Sequence, residues 1–238
     1  WGVIDPAPVV QVEAGKKRAV FLSTSTNETT KYAESLSALP EFDVAQIVRY
    51  DAPDYSDLEI ERRLALLRPD MVVYIGSRFG PQIATGILAG INARVAPTVH
   101  ICSDAADAPW WDLLLEYHYA GAFTVQVAID GSKLWPLADS QITALTPILP
   151  RHFVSIPHAE RKIVAGYAGN AGDQGSFRRM LLSELAFRGL LNVRMRDNDP
   201  DGYQACCDFV SDCRIIINTP ATGTGAAMHV KGRVVEAG

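Results

Sequence analysis

Residues 69–91, PDMVVYIGSRFGPQIATGILAGI, read as an apolar strand, a glycine-bounded loop and an amphipathic helix. The five consecutive apolar residues 71–75 show no alternation, which is typical of a strand buried on both faces. Ile83, Ile87 and Ile91 then recur every four residues, as the buried side of a helix requires. A buried strand followed by a covering helix predicts one unit of a parallel α/β sheet.

The same alternation of strands and helices extends over most of the chain. Predicted strands lie at residues 17–22, 44–50, 71–75, 99–102, 123–129, 163–167, 192–196 and 214–218. A proline-rich stretch without helical period separates the first five from the last three. The sequence therefore predicts an α/β fold with two Rossmann-like, doubly wound domains, at 1–145 and 159–238, joined by a linker at 146–158. Three strands make the second domain about half of a complete one.

The composition is that of a folded protein and excludes several classes. Of the 238 residues, 48% are hydrophobic, whereas disordered chains combine low hydrophobicity with high net charge. The formal net charge of −5 argues against a nucleic-acid-binding scaffold, which is usually basic. No apolar run reaches the ~20 residues of a membrane-spanning helix, and the start carries no secretory signal. We therefore expect a cytoplasmic protein.

Cysteines and chain ends lead to two further expectations. Four cysteines are too few and too unevenly spread to form a disulfide framework, so we expect reduced, buried thiols. The first residue is Trp1 rather than Met, and residues 234–238 continue a helical pattern. We therefore expect a fragment whose second domain is incomplete. Its uncovered sheet edge makes a homo-oligomer one option.

Glycine-rich loops follow two of the predicted strands. In open α/β sheets, ligands bind beyond the carboxyl ends of the strands. Residues 169–176, GNAGDQGS, lead into a helix, and Gly169 and Asn170 there would let the backbone approach a phosphate. The spacing matches neither the dinucleotide fingerprint nor the P-loop, so an ordinary connector is an equally good interpretation. Thr222 and Gly223 lie in the second such loop.

Charged residues near the end of the chain form a candidate nucleotide site. Arg233 and Glu236 are three residues apart and therefore share one helix face. Together with Lys231, the arginine offers cations for a diphosphate, and the carboxylate suits a ribose diol. A surface ion pair explains the same residue types equally well.

Residues 216–219, the glycine-rich loop after them and residues 231–238, KGRVVEAG, resemble the donor-site region of GT-B-fold glycosyltransferases. The likeness is greatest to the CgeB-like, family 1-like group, in which a strand ending in Asn precedes an Arg-x-x-Glu helix. Residues 145–153 also resemble the interdomain strand of these enzymes. The resemblance implies that the second domain holds a nucleotide-sugar donor and the first an acceptor, with no cofactor besides the donor.

The resemblance also implies roles for single residues. Glu236 would bind the donor ribose, while Arg233 or Lys231 would bind the phosphates and stabilise the leaving diphosphate. Gly169 and Asn170 would line the cleft. Members of the group continue well beyond the point at which this chain stops.

Inverting glycosyl transfer needs a base that takes a proton from the acceptor hydroxyl. His100 and Asp104 are the candidates, in and just after a predicted strand. A structural role stays open as the alternative for each residue: His100 fits the alternation of that strand, and Asp104 suits a helix cap. On the acceptor side we expect Ser25 and Arg78, both in loops after strands, although a solvated loop arginine is an equally good interpretation of Arg78.

We expect no metal site. The acidic residues within 197–208 approach the spacing of an EF-hand calcium loop. A strand rather than a helix precedes them, and Asp208 stands where that loop needs a bidentate glutamate, so a turn before a helix is the preferred interpretation. Cys206, Cys207 and Cys213 have no histidine nearby in sequence to complete a zinc set.

The preferred function from sequence is glycosyl transfer from a nucleotide sugar to an unidentified acceptor. Two alternatives remain, a nucleotide-sugar epimerase on the same fold and a non-enzymatic, two-lobed small-molecule binding protein. The expected partners are a nucleotide sugar and an acceptor, with no nucleic acid and no transmembrane segment.

Overall fold

A computed structural model gives the fold of the chain. It describes residues 14–23, 26–49, 56–76, 82–102, 110–129, 140–144, 150–169, 176–194 and 200–218.

Nine strands and six helices lie within these ranges. The strands are β1 (Lys17–Ser23), β2 (Phe42–Arg49), β3 (Met71–Ile75), β4 (Thr98–Cys102), β5 (Val125–Ala128), β6 (Gln141–Thr143), β7 (Ile163–Ala168), β8 (Asn192–Arg194) and β9 (Cys213–Ile216). The helices are α1 (Thr26–Ser37), α2 (Asp57–Leu67), α3 (Thr85–Arg94), α4 (Trp110–Tyr119), α5 (Phe177–Phe187) and α6 (Pro200–Ser211). The predicted alternation of strand and helix is confirmed.

The described residues form two compact units. The first comprises those up to Cys102 together with Leu113–Val127, and the second comprises 110–112 and those from Ala128 onward. The domain boundaries given by the sequence stay a prediction. No helix among the described residues can cross a membrane, since the longest, α1 and α6, have 12 residues each and a span needs about 20.

The larger sheet has the strand order β2-β1-β3-β4-β5-β6. The pairs β1–β2, β1–β3 and β3–β4 are parallel. The chain starts in β1, pairs β2 on one side and then β3 on the other, so the strand order reverses between β1 and β3. The sequence missed β6, whose three residues are too few to show a periodic pattern.

Both faces of β1 and β3 are covered, as their unbroken apolar runs predicted. Val20, Leu22, Val72 and Tyr74 pack in one core with residues of α2 and α3, whereas alternating residues, such as Phe21, pack in a second core with α1. Two buried faces explain why neither strand alternates between apolar and polar residues.

Helix α2 begins and ends where its sequence signals place it. Ser56 and Glu59, three residues apart, have the sequence of a capping box, and the Oγ of Ser56 accepts the N–H of Glu59 at 3.3 Å. Ile60 and Leu64, four residues apart, are buried on the inner side of the helix. The helix ends at Arg68, which is in the left-handed region at φ 48° and donates its N–H to the Leu64 carbonyl.

The smaller sheet has the order β8-β7-β9, with both pairs parallel. Tyr167 of β7 packs against Leu182 of α5 and against Leu191. The sequence placed Phe177, Leu181 and Leu185 in the inward row of α5, and this was wrong for Phe177, which is 73% exposed. The helix is rotated so that Leu182 points inward, with Leu185 partly buried beside it.

The described part of the predicted linker belongs to the second unit and packs within it. The Nδ1 of His152 lies 2.8 Å from the Oε1 of Gln204 on α6, and the Gln204 amide donates to the His152 carbonyl at 2.8 Å. The N–H of Val154 donates to the Ser211 hydroxyl, and Arg161 donates to the Cys213 carbonyl at 2.9 Å. Residues 150–161 are therefore fixed to α6 and β9.

Candidate functional site

The carboxyl ends of β7, β8 and β9 lie at one edge of the smaller sheet, because the three strands are parallel. Ala168 pairs in register with Arg194, and the N–H of Gly169 donates to the Arg194 carbonyl at 3.0 Å. On the other side Gly166 pairs with Ile216. The N–H of Ile217 donates to the Gly166 carbonyl at 2.8 Å, the bond that closes the Gly166–Ile216 pair, which is the last pair of this ladder.

Arg194 pairs directly with Ala168 at this edge. Asn218 lies two residues past Ile216, the last residue of β9 that pairs with β7, and the same register continued by two residues would bring it level with Ala168. Strands are about 4.8 Å apart, so Arg194, Ala168 and Asn218 would then form one row, with about 10 Å between the two outer backbones.

Both long side chains of this row, here called the edge row, carry a buried polar atom without a partner. Among the described residues, nothing hydrogen-bonds to the Nε of Arg194 or to the Oδ1 of Asn218. A buried polar atom left unpaired costs about 1–3 kcal/mol, and more when charged, so such atoms need an explanation. Arg194 offers a donor with a positive charge, and Asn218 offers an acceptor.

Two further features of the edge suit a bound anion. Gly169, directly after β7, has φ 134°, a conformation that favours glycine. Helix α5 begins at Phe177, after the cap Ser176, whose Oγ accepts the N–H of Arg179 at 3.2 Å. Of the predicted donor-site residues, Gly169 alone lies within the described residues, and it lies at the expected strand end.

The remaining predicted donor-site residues lie outside the described residues. They are Asn170, Thr222, Gly223, Lys231, Arg233 and Glu236. Ser25, Arg78 and Asp104, predicted for the acceptor side and for catalysis, also lie outside. Their roles stay predictions.

His100, the predicted base, lies in the core of the first unit. It is fully buried, its ring stacks on Phe123 with centroids 4.7 Å apart, and the ring centroids of Tyr74 and Tyr117 lie 5.4 and 5.5 Å from its own. Neither ring nitrogen has a hydrogen-bond partner in the described part of the chain. Burial lowers the His100 pKa from its ordinary 6.5 to about 3, so the ring is neutral at pH 7. This position argues against contact with a substrate and favours the packing alternative.

The carboxyl edge of the larger sheet is described only in part. The hydroxyl of Tyr74 donates to the Oε1 of Gln82 at 2.9 Å, which fixes the chain on the far side of the loop after β3. At Gly76, a Cβ atom would lie 3.3 Å from the Tyr74 ring, so a side chain there would be tightly confined. No polar cluster comparable to the edge row lies at the described part of this edge.

The cysteines are buried and form no disulfide, as expected. Burial, together with Asp212, raises the pKa of the Cys213 thiol to about 11, and its Sγ donates to the Phe209 carbonyl at 3.1 Å. This thiol is therefore neutral and unreactive at pH 7. Within the described ranges, no group of three or more His, Cys, Asp or Glu side chains could hold a metal ion.

Sequence reasoning missed Arg194 and Asn218 as site residues. Asn218 directly follows the apolar run at residues 215–217, a signal that was present in the sequence. Arg194 ends the short strand β8, whose three residues give no such signal.

Comparison with known proteins identifies no family for this chain. The chain matches no protein-family profile and no curated protein. Among solved structures it is similar to dTDP-4-dehydrorhamnose reductase from Bacillus anthracis, solved in complex with NADP, at 11% identity and a TM-score of 0.37. The match covers 77% of this chain and 75% of the reductase. A likeness this weak carries no argument about the chemistry of this chain.

Two expectations from sequence are corrected by these comparisons. The assignment to the GT-B glycosyltransferases was wrong: no family model matches the chain, and the solved structure named above is a reductase. The expectation that no cofactor is used came from that resemblance and is withdrawn with it; the reductase was solved in complex with NADP. The α/β fold with parallel strand pairs stands on the structure itself.

Proposed function

We propose that the protein binds a nucleotide, with nucleotide sugars as the ligand class, at the carboxyl edge of the smaller sheet. The observation that carries the proposal is the edge row, in which the strand ends present a cation and an amide whose buried polar atoms have no partner among the described residues. Ligands of open α/β sheets bind beyond the carboxyl ends of the strands, at the point where the strand order reverses. In the order β8-β7-β9 that point adjoins β7, the strand that ends in Gly169.

The enzymatic form of this proposal is the epimerase alternative. An epimerase holds its substrate through the nucleotide and changes the configuration of one sugar carbon. The edge row would bind the nucleotide part of the substrate, and it does not account for a proton transfer at the sugar. The acid and base of the reaction are not assigned.

Isothermal titration of the full chain tests the binding step. The panel is UDP-glucose, UDP, dTDP, ADP and NADP, with free glucose as the control, all at one salt concentration. We expect at least one nucleotide to bind with a Kd below about 1 mM and glucose not to bind. A panel in which no nucleotide binds would contradict the proposal.

A second experiment separates an enzyme from a binding protein. The nucleotide sugar that binds most tightly is incubated with the protein, and its sugar is analysed by NMR for a change of configuration. A new epimer supports the epimerase form. Tight binding with an unchanged sugar, in the presence and absence of NADP, would instead favour the non-enzymatic alternative.

A further inference from the structure

The two buried polar atoms of the edge row need hydrogen-bond partners of opposite kinds. The Nε of Arg194 is a charged donor that needs an acceptor, and the Oδ1 of Asn218 is an acceptor that needs a donor. An inorganic anion alone would satisfy the arginine and leave the amide oxygen unpaired. The complementary ligand therefore has an anionic group at one end and a hydroxyl or N–H at the other.

We infer that Arg194 binds a phosphate oxygen and Asn218 accepts a hydrogen bond from a ribose hydroxyl of the same nucleotide. This inference rests on the proposed function and assigns the parts of the ligand to the two residues. Guanidinium groups bind phosphates through charge-assisted hydrogen bonds. The roughly 10 Å between the two backbones that the continued register implies suits the length of a ribose phosphate.

The neighbouring contacts are consistent with a preformed row. The backbone carbonyl of Arg194 accepts the Gly169 N–H, so the strand end that carries the guanidinium is fixed to β7. The ladder bond from Ile217 to Gly166 fixes the residue before Asn218 in the same way. The backbone at Arg194 is therefore held directly, and the backbone that leads to Asn218 is held one residue earlier.

The first test separates the phosphate from the nucleoside. Arg194→Met keeps the apolar stem and removes the guanidinium, and Arg188→Met is the matched control, because Arg188 is exposed and paired with Glu184. UDP, pyrophosphate and uridine are titrated into each protein. We expect Arg194→Met to weaken UDP and pyrophosphate at least tenfold and uridine less than twofold, and Arg188→Met to change none of them.

The second test addresses the ribose. Asn218→Ala is titrated with UDP, 2′-deoxy-UDP and pyrophosphate. We expect the variant to weaken UDP about fivefold or more, to leave pyrophosphate unchanged, and to lose part of the preference for UDP over 2′-deoxy-UDP. Equal losses for all ligands would assign Asn218 to the fold rather than to the ribose.

The unfolding temperature of each variant shows whether it is still folded. Because the two polar atoms are buried without partners, both variants should unfold, without ligand, at a temperature equal to or above that of the wild type. If wild-type protein binds UDP and Arg194→Met binds it equally well, this inference is overturned while the proposed function stands. If wild-type protein binds none of the probes, the proposed function fails first.

Discussion

Unpaired polar atoms occur in two settings in this protein, and the setting separates a packing role from a binding role. His100 is enclosed by aromatic rings in the core of the first unit. Arg194 is the last residue of β8 and Asn218 follows β9 by two residues, so both lie at the carboxyl edge of the smaller sheet. We therefore interpret the missing hydrogen-bond partners as core packing of a neutral ring at His100, and as a ligand site at Arg194 and Asn218.

The buried imidazole of His100 predicts a loss of stability in acid. Its pKa is about 3 in the folded protein and 6.5 in the unfolded chain, so the unfolded state binds the proton first. The contribution is fully present above pH 6.5 and is lost as the pH falls from there towards 3. At about 1.4 kcal/mol per unit, roughly 2 kcal/mol should be lost between pH 7 and pH 5.

Chemical denaturation of the wild type and of His100→Phe at both pH values measures this loss. The phenylalanine keeps the ring stacked on Phe123 and cannot take up a proton. We expect the variant to gain about 2 kcal/mol relative to the wild type on going from pH 7 to pH 5. An equal stability difference at the two pH values would show that His100 does not titrate as a buried group.

Some residue roles could be predicted from the sequence and others could not. The cap of α2 at Ser56 was readable because capping depends on residues three positions apart. The packing of His100 could not be predicted in the same way, because the rings around it come from α4 and from Phe123, which are distant in sequence. Arg194 and Asn218 become neighbours only through the register of β8 and β9 on β7.

At the scale of elements, the close approach of α6 to β7 depends on a glycine. A Cβ atom at Gly166 would overlap the Sγ of Cys213 and lie 2.9 Å from ring carbons of Phe209. The helix can therefore pack on the sheet only because β7 has no side chain there. Since Gly166 pairs with Ile216 and accepts the N–H of Ile217, this packing also sets the level at which Asn218 leaves the sheet.

Gly166→Ala should destabilise the second unit by about 1–3 kcal/mol, the usual cost of overpacking a core. Gly86→Ala is the control, because it lies in α3 with nothing within 4 Å of the added atom and should cause no loss. Thermal unfolding measures both. Adding Cys213→Ala to Gly166→Ala should recover part of the loss, and failure of this double variant to recover any stability would disprove the steric account.

Elements whose signals are local were predicted well, and those set by tertiary contacts were not. The apolar runs of β1 and β3 identified the central strands, and Gly189, at φ 69°, follows the end of α5 as predicted. Strand β6 and the rotation of α5 were missed. A three-residue strand has no period, and the exposure of Phe177 depends on how α5 lies on the sheet rather than on its own sequence.

At the scale of the whole molecule, the fold class was predictable and the family was not. Alternating buried strands and helices imply a parallel sheet by packing alone. The resemblance to glycosyltransferases rested on a strand, a glycine-rich loop and a helix with charged residues, which any ligand-binding α/β unit repeats. The specific residues of that resemblance, Arg233 and Glu236, lie outside the described residues.

The central claim is that a nucleotide binds at the carboxyl edge of the smaller sheet. Hydrogen exchange measured by mass spectrometry, with and without saturating UDP-glucose, locates the ligand without assuming any residue's role. We predict slower exchange in peptides that contain Gly169, Arg194 and Asn218, and no change at the amino ends of the same strands, around Lys162 and Asp212. Protection confined to the amino ends or to the first unit, in a protein that demonstrably binds the nucleotide, would contradict the claim.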